Sequence, residues 1–329
     1  MMPKTSVAGA GTKTNAAPWK STALHAAQTA LRSVGEHHVE LRWRQGRLDE
    51  DPWAAFDAPT TGDVIWVAQV DGTSPPGTLA GPTEFGDMGV WRHPNDPALP
   101  GLPAAVTPNG VQGLITPVAP DVDTMLVEVV AIHPLERAVI RVGHQGQAVY
   151  VKVLPPWRVG VVADRHRRVQ EAGVPSPSVL AVVESMGWLV LGELRGLPLA
   201  DHLESGGPLP HVDDVWRVIQ TLVRAGTVHG DLHDRQLLVD DRGSIVGVVD
   251  VDDVGSGELV DDLGRLLAHM SWRGVTHPEQ APRIRAWVEE LAEVFDRRVD
   301  PAALRDRVAQ NSERLRRLSR TSDGAATPP

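Results

Sequence analysis

Five strand patterns and one helix pattern between residues 124 and 193 constrain the fold of this chain most strongly. Within the strand patterns, β-branched and other apolar residues alternate with polar ones or form short apolar runs, as is typical of strands in a sheet. Three strand patterns precede the helix pattern and two follow it, an order that predicts a small mixed sheet covered by a single helix. The strands are expected at 124–132, 137–143, 147–154, 179–184 and 188–193, and the helix at about 159–172.

After Gly196 helix patterns prevail. Short helices are expected at about 198–205 and 211–225, a strand within SIVGVVDVDD, and helices from there to the C-terminal end. One stripe of apolar residues repeats at helical spacing, which predicts a helix face buried in the core. Its members are Ile284, Trp287, Val288, Leu291, Val294 and Phe295.

The region before residue 124 is less regular. A helix is expected at about 21–34 and strands at 38–44 and 63–70, whereas ten prolines between Gly72 and Pro120 exclude long regular elements there. The composition of both ends predicts disordered tails. We therefore expect a tail at 1–20, an accessory N-terminal module at 21–120, a sheet lobe at 121–197, a helical lobe at 198–320 and a tail at 321–329.

Composition limits the environment and the partners of the protein. The chain of 329 residues has no cysteine, which excludes disulfide bonds and thiolate metal ligands. Its formal net charge of −10 argues against a general attraction to nucleic acid. No apolar run approaches the roughly 20 residues of a membrane span, and the N-terminal segment lacks the apolar core of a signal peptide. We expect a cytoplasmic protein that acts on a small molecule, not on nucleic acid or a membrane.

Lysine usage singles out one residue. Only four of the 32 basic residues are lysines, and three of them lie within the first 20 positions, so Lys152 stands alone in the rest of the chain. It lies in the strand pattern AVYVKVL. A position that resists a strong preference for arginine indicates a need for a compact ammonium group, although taken alone it is equally compatible with an exposed strand residue.

Two acidic motifs follow at a spacing suited to phosphoryl transfer. This chemistry needs a carboxylate that orients the acceptor hydroxyl, oxygen ligands for magnesium and a cation near the nucleotide phosphates. The stretch HGDLHDRQ (229–236) offers Asp231 for the hydroxyl proton and Gln236 as a magnesium ligand. The stretch VVDVDD (248–253) offers Asp250 as a second ligand, and a short loop between two strands can direct these side chains to one point, with Lys152 on the phosphates.

Together with VDDLGRLLAH (260–269), these motifs resemble the aminoglycoside phosphotransferase branch of the kinase-like fold over roughly residues 124–320. The resemblance implies an α+β, two-lobed protein-kinase-like fold, with a small mixed or antiparallel sheet lobe, a mainly helical lobe and an extra N-terminal module. It also implies a phosphotransferase that uses ATP and Mg²⁺ and acts on an alcohol group of a small molecule. On this chain it assigns Asp231 as catalytic base and Gln236 and Asp250 as magnesium ligands.

Further roles are carried over from the same family. Lys152 corresponds to the phosphate-binding lysine, and Glu193 with Leu194 corresponds to the hinge whose backbone holds adenine. Asp262 corresponds to a structural carboxylate that braces the catalytic loop, and His229 is expected to pack and orient that loop.

The sequence departs from the family pattern at several points. AIHPLERAV takes the place of a glycine-rich turn, and no helix glutamate clearly pairs with Lys152, for which Asp164 and Glu171 are the candidates. Only 36 residues separate Glu193 from His229, too few for the helical insertion with which relatives grip antibiotics. The acceptor is therefore left open between an aminoglycoside, a sugar and an amino alcohol.

Two other hypotheses stay open. Gln236 stands where the family has asparagine, which is compatible with a pseudokinase or nucleotide-sensing module, although maltokinase-like relatives also use glutamine there. His233 and Asp234, beside His229 and Asp231, are compatible with a metallohydrolase. Against that reading, the C-terminal half of the sequence has no other closely spaced histidine pair.

Overall fold

The chain forms two compact units, which meet in the sequence between Ala98 and Leu99. The computed structural model describes residues 16–47, 52–70, 78–83, 86–115, 125–144 and 146–322. Within these ranges no helix combines the length and the apolar character needed to cross a membrane.

In the first unit, one helix packs against a five-stranded antiparallel sheet of order β1-β2-β3-β5-β4. Ala23, Ala27 and Ala30 recur at three- and four-residue spacing on the helix, and these small side chains let it approach Phe56 and Ile65 of the sheet in one core. The elements are α1 (Ala16–Ser33), β1 (Arg42–Arg47), β2 (Trp53–Ala58), β3 (Asp63–Gln69), β4 (Leu79–Thr83) and β5 (Gly86–Arg92).

The prediction of a disordered tail at residues 1–20 is wrong for its last five residues. Residues 16–20 belong to α1, because Trp19 is buried in the core of the first unit and anchors the first turns of the helix. Residues 1–15 lie outside the described ranges. At the other end of the chain, the last helix continues to Ser322, and the rest of the predicted tail also lies outside these ranges.

The second unit begins with two short helices and a five-stranded sheet of order β6-β7-β8-β10-β9. Every strand pair in it is antiparallel, so the sheet is not mixed. The predicted strands and helix are present within a few residues. The elements are α2 (Leu102–Ala105), α3 (Pro108–Ile115), β6 (Leu126–His133), β7 (Arg137–His144), β8 (Gln147–Val153), α4 (Pro156–Glu171), β9 (Val179–Val183) and β10 (Trp188–Gly192).

The two short helices belong to this sheet, although residue 120 was predicted as the end of the N-terminal module. Leu99, Leu102 and Val111 are fully buried in the same core as the inner face of the sheet. The indole Nε1 of Trp188 donates a hydrogen bond to the Gly101 carbonyl oxygen (3.0 Å). Burial of these apolar side chains against the sheet therefore places the start of the unit at Leu99.

The remainder of the second unit is mainly helical around a small antiparallel sheet of order β11-β12-β13. The predicted α+β class, with a sheet lobe followed by a helical lobe, is thus confirmed. The apolar stripe also lies in the core as predicted, since Ile284, Trp287, Leu291 and Phe295 are buried together. The elements are β11 (Leu197–Pro198), α5 (Leu199–Glu204), α6 (Val212–Arg224), β12 (Leu237–Val239), β13 (Ile245–Val248), α7 (Leu259–Thr276), α8 (Ala281–Asp296) and α9 (Pro301–Ser322).

Candidate active site

A loop between α6 and β12 carries Asp231, and a buried carboxylate on α7 holds that loop. Asp262 accepts hydrogen bonds from the backbone N–H groups of His229 (2.6 Å) and Gly230 (2.9 Å), and a longer one from Leu232 (3.5 Å). Burial raises the pKa of the Asp262 carboxyl, while these backbone N–H donors oppose the shift. The position of Asp231 is therefore fixed through the backbone on both sides of it.

The His229 ring joins the same loop to the strand that precedes Asp250. Its Nδ1 accepts the N–H of Asp231 (3.3 Å), and its Nε2 lies 3.0 Å from the carbonyl oxygen of Val249. A neutral ring with its proton on Nε2 satisfies both contacts, so the fully buried imidazole packs and orients the loop. Gly230 has a φ of +86°, and a Cβ there would lie 2.9 Å from the Asp253 carbonyl oxygen. Only glycine fits this turn without displacing the acidic segment.

The Asp231 side chain is 43% exposed and forms an ion pair with Arg265 of α7. A second neighbour is His233, whose Nε2 lies 3.9 Å from Asp231 Oδ2. The carboxylate is thus open to a ligand on one side and held by a guanidinium on the other. Arg265 was not singled out by the sequence.

Lys152 of β8 lies between two carboxylates of the acidic segment. Its Nζ is 2.7 Å from Asp252 Oδ1 and 3.0 Å from Asp250 Oδ1. Asp252 is only 1% exposed, and its Oδ1 also lies 3.2 Å from Nε2 of His166 on α4. Burial alone would raise the pKa of Asp252, but Lys152 and His166 outweigh it and hold that pKa well below its usual range.

The predicted partners of Lys152 were wrong. Asp164 is exposed and pairs with Arg167, and Glu171 is also exposed, near the end of α4. The face of α4 that meets the sheet is formed by Val159, Val162, Ala163, His166 and Val169. Because Asp164 and Glu171 lie off this face, neither can reach a lysine beneath the helix.

Asp250 differs from Asp252 in exposure and in backbone conformation. Its side chain is 26% exposed, and its φ of +57° is in the left-handed region that few residues other than glycine adopt. Arg137 of β7 also approaches it, with Nη1 3.4 Å from Asp250 Oδ1. Burial raises the pKa of Asp250, but Lys152 and Arg137 outweigh this effect and lower it overall. Such a strained residue at the edge of a cavity is typical of a functional site.

The amide oxygen of Gln236 is a buried acceptor without a hydrogen-bond donor among the described residues. Its backbone is fixed beside Asp250, because the Gln236 carbonyl accepts the N–H of Val249 (2.9 Å). Oδ2 of Asp252 is likewise buried without a hydrogen-bond donor among those residues. Buried acceptors of this kind are rare in folded proteins unless a ligand, an ion or an ordered water satisfies them.

A cavity of about 390 Å³ leads from these charges to an apolar end. Lys152, Arg137 and Asp250 line one part of it, and Leu194 lies among the residues that line the rest. Glu193 does not line this cavity, and its Oε1 lies 3.7 Å from Nη2 of Arg141. Of the predicted hinge, only Leu194 therefore presents its side chain to the cavity.

His233, Asp234 and His269 form a cluster whose side chains are of the types that bind metal ions, as the metallohydrolase hypothesis requires. The two rings are stacked, however, with centroids 4.5 Å apart and planes inclined by only 10°. A metal bound to an imidazole lies in the plane of that ring, and two nearly parallel planes leave no shared position for one ion. Burial, with the neighbouring His233, lowers the pKa of His269 to about 4. Asp234 is already paired with Arg273 (2.7 Å), so the cluster is satisfied without a metal.

The comparisons with known proteins agree with the motifs over part of the chain. Residues 188–302 match the model of a phosphotransferase enzyme family, and this segment contains Asp231, Gln236, Asp250 and Asp262. The predicted resemblance to aminoglycoside-phosphotransferase-like proteins is confirmed there. The glutamine that resembles maltokinases stays a prediction.

Individual relatives are distant. The EKC/KEOPS complex subunit BUD32 of Chaetomium globosum is 30% identical over 94 residues, and the alignment covers 23% of this chain and 35% of that protein. The chain thus spans about a third of the curated relative it matches. A solved structure of aminoglycoside phosphotransferase APH(3'')-Id from Streptomyces rimosus is 19% identical, with 60% of this chain and 96% of that chain covered and a TM-score of 0.41. A solved structure of aminoglycoside phosphotransferase APH(4)-Ia is 16% identical, with 64% of this chain and 97% of that chain covered and a TM-score of 0.33.

Proposed function

We propose that the protein transfers the γ-phosphate of ATP to a hydroxyl group of a small molecule. The observation that carries this proposal is the meeting of Lys152 and Asp250 at one cavity edge. Gln236, whose buried amide oxygen has no donor among the described residues, is tied to the same segment by its backbone bond to Val249. A cation and two oxygen ligands beside a braced aspartate loop are what phosphoryl transfer from ATP requires. The family match over residues 188–302 supports the same chemistry.

The cavity of about 390 Å³ is suited to a nucleotide in one orientation. The apolar end, which includes Leu194, would receive the adenine, and Lys152 with Arg137 would face the phosphates. Arg137 supplies a cation at the place where this chain has no glycine-rich turn, and a guanidinium can hold phosphate oxygens through two N–H groups. Glu193 keeps its predicted role only through its backbone.

In the proposed reaction, Asp231 orients the acceptor hydroxyl and takes its proton. The hydroxyl oxygen forms a new bond to the γ-phosphorus, the bond from that phosphorus to the β,γ-bridging oxygen breaks, and ADP leaves with the bond electrons. Asp262 and His229 act on this step only through the backbone of the loop. Arg265 holds the Asp231 carboxylate on the side away from its open face.

The residues present fit a magnesium ion. Gln236 and Asp250 provide neutral and charged oxygen donors of the kind that Mg²⁺ prefers, and the Gln236 oxygen has no other partner among the described residues. When bound, the ion would supply positive charge that offsets the negative charge of the phosphates. Because ATP is the phosphate donor, the proposal also favours the cytoplasm as the place of action.

The decisive test measures ADP formation by the full chain with Mg-ATP and a panel of aminoglycosides, sugars and amino alcohols. Asp231→Asn should lower acceptor-dependent turnover by about 10²–10⁴-fold, the usual contribution of a positioned base. Asp213→Asn, at an exposed position in the first turn of α6, is the matched control and should keep full turnover. Full turnover in Asp231→Asn would remove that residue from catalysis. Binding of Mg-ATP without turnover on any acceptor would favour the pseudokinase hypothesis.

A further inference from the structure

A second cavity, of about 450 Å³, opens beside the catalytic loop and shares no lining residue with the nucleotide cavity. Gly230 and Asp253, which lie close to Asp231 in the chain, are among its lining residues, and so are three arginines: Arg265, Arg307 and Arg314. The volume suits a small molecule of sugar size. An acceptor bound here would lie within one side chain of the Asp231 carboxylate.

The carboxylates of this cavity are already paired. Asp261 Oδ1 lies 2.6 Å from Nε of Arg307, and Asp253 Oδ1 lies 3.6 Å from Arg158 and 3.7 Å from Arg165 of α4. These acids can therefore contribute little attraction to a cationic ligand. Two guanidinium groups of α4 thus already lie beside the Asp253 carboxylate.

The positive charge of the arginines at this cavity is not fully paired with carboxylates. Arg314 of α9 forms no ion pair among the described residues, and Arg265 shares a single contact with Asp231. Among the residues that line this cavity, three arginines face two carboxylates, Asp253 and Asp261, and Asp253 also lies beside Arg158 and Arg165 of α4. This local excess of positive charge is opposite in sign to the net charge of −10 of the whole chain. A field of this sign attracts and orients an anion and repels a polycation.

We propose that the acceptor is a small alcohol that carries a phosphate or carboxylate group, and that this group binds at Arg314 and Arg307 while the hydroxyl faces Asp231. The inference rests on the proposed function for the position of the hydroxyl. It narrows the open set of acceptors, because a polycationic aminoglycoside would bring its charges against the arginines. A guanidinium suits either anionic group, since both offer two oxygens to its paired N–H donors.

The test is calorimetric binding to the full chain with the nucleotide cavity saturated by Mg-AMP-PNP. The probes are glucose 6-phosphate and gluconate, each against glucose, with kanamycin as the polycation. The anionic probes should bind about tenfold or more tightly than glucose, which is what one charge-assisted hydrogen bond contributes. Arg314→Glu should abolish this preference. Arg317→Glu, one turn further along α9 and outside the cavity, should leave it unchanged.

Two outcomes overturn the inference: glucose or kanamycin binding as tightly as the anionic probes, and an anion preference that survives Arg314→Glu. Failure of both anionic probes to bind at millimolar concentration does so as well. These results are separate from those on the proposed function, because binding is measured without turnover. A chain that binds glucose 6-phosphate through Arg314 but never forms ADP would refute the kinase reaction and leave the anion site in place.

Discussion

Replacement of Asp252 by asparagine tests the central contact of the site. The carboxylate is 1% exposed and holds Lys152 at 2.7 Å and His166 at 3.2 Å. Asparagine keeps the shape and removes the charge, so a buried ammonium loses one of its two carboxylates. Breaking a buried ion pair in this way costs about 3–5 kcal/mol. Because Asp250 remains 3.0 Å from Lys152, we expect a loss near the lower end, about 3 kcal/mol of unfolding free energy.

The neighbouring Asp253 provides the matched control. Its side chain is 60% exposed, and its arginine partners lie 3.6 and 3.7 Å away, so Asp253→Asn should cost only about 0–1 kcal/mol. The assay is urea unfolding of the full chain, combined with hydrogen exchange of the β8 and α4 backbone amides. Exchange in β8 and α4 should accelerate in Asp252→Asn and stay near wild type in Asp253→Asn. Equal losses in the two variants would refute the assignment of Asp252 as the buried anchor.

The pH dependence gives a second, independent measure. The folded-state pKa of Asp252 is lowered, so its contribution to stability is present above the unfolded pKa of about 4 and is lost as the pH falls below it. The stability difference between wild type and Asp252→Asn should therefore be largest at neutral pH and narrow in acid. A difference that widened in acid would contradict the lowered pKa.

Three further predictions concern neighbouring groups. Gln236→Asn should retain measurable ADP formation and Gln236→Ala should lose most of it, and equal activity of both with wild type would remove Gln236 from the metal site. Gly230→Ala should destabilise more than Gly226→Ala in thermal unfolding, since both have positive φ but only Gly230 would bring a Cβ 2.9 Å from a carbonyl oxygen. His166→Leu should raise the KM for ATP more strongly than His166→Gln, which can still donate to the carboxylate behind Lys152; equal KM values would exclude this positioning role.

The sheet lobe could be predicted from the sequence because apolar and polar residues alternate along its strands, or form short apolar runs, and because clear turns separate the strands. β2 could not, since WAAFDA is rich in alanine, which has little preference for strands, and its burial comes from packing against α1. The boundary between the two units at Leu99 could not be predicted from the sequence either. Prolines between Gly72 and Pro120 limit the length of helices, but they do not reveal which core a short helix joins.

The candidate site was predictable where its residues lie in the family motifs and not where they lie outside them. Asp231 and Asp262 follow each other at a family spacing, and the structure brings their loop and helix together. Asp252 was overlooked in favour of Asp250, although VVDVDD offered both. The signal for His166 was its position on the apolar stripe of α4, where a polar side chain is buried and needs a partner.

The two carboxylates around Lys152 differ in a way that bears on nucleotide binding. Asp252 is buried and cannot exchange its partner without exposing or neutralising a charge, whereas Asp250 is 26% exposed and faces the cavity. If phosphates enter as we propose, they compete with Asp250 for Lys152 and leave the bond to Asp252 intact. The lysine then stays anchored from behind by Asp252 and His166, and Asp250 becomes free to bind a cation together with Gln236. Under this proposal the two acids would take the roles that a helix glutamate and a metal-binding aspartate would otherwise divide between two elements.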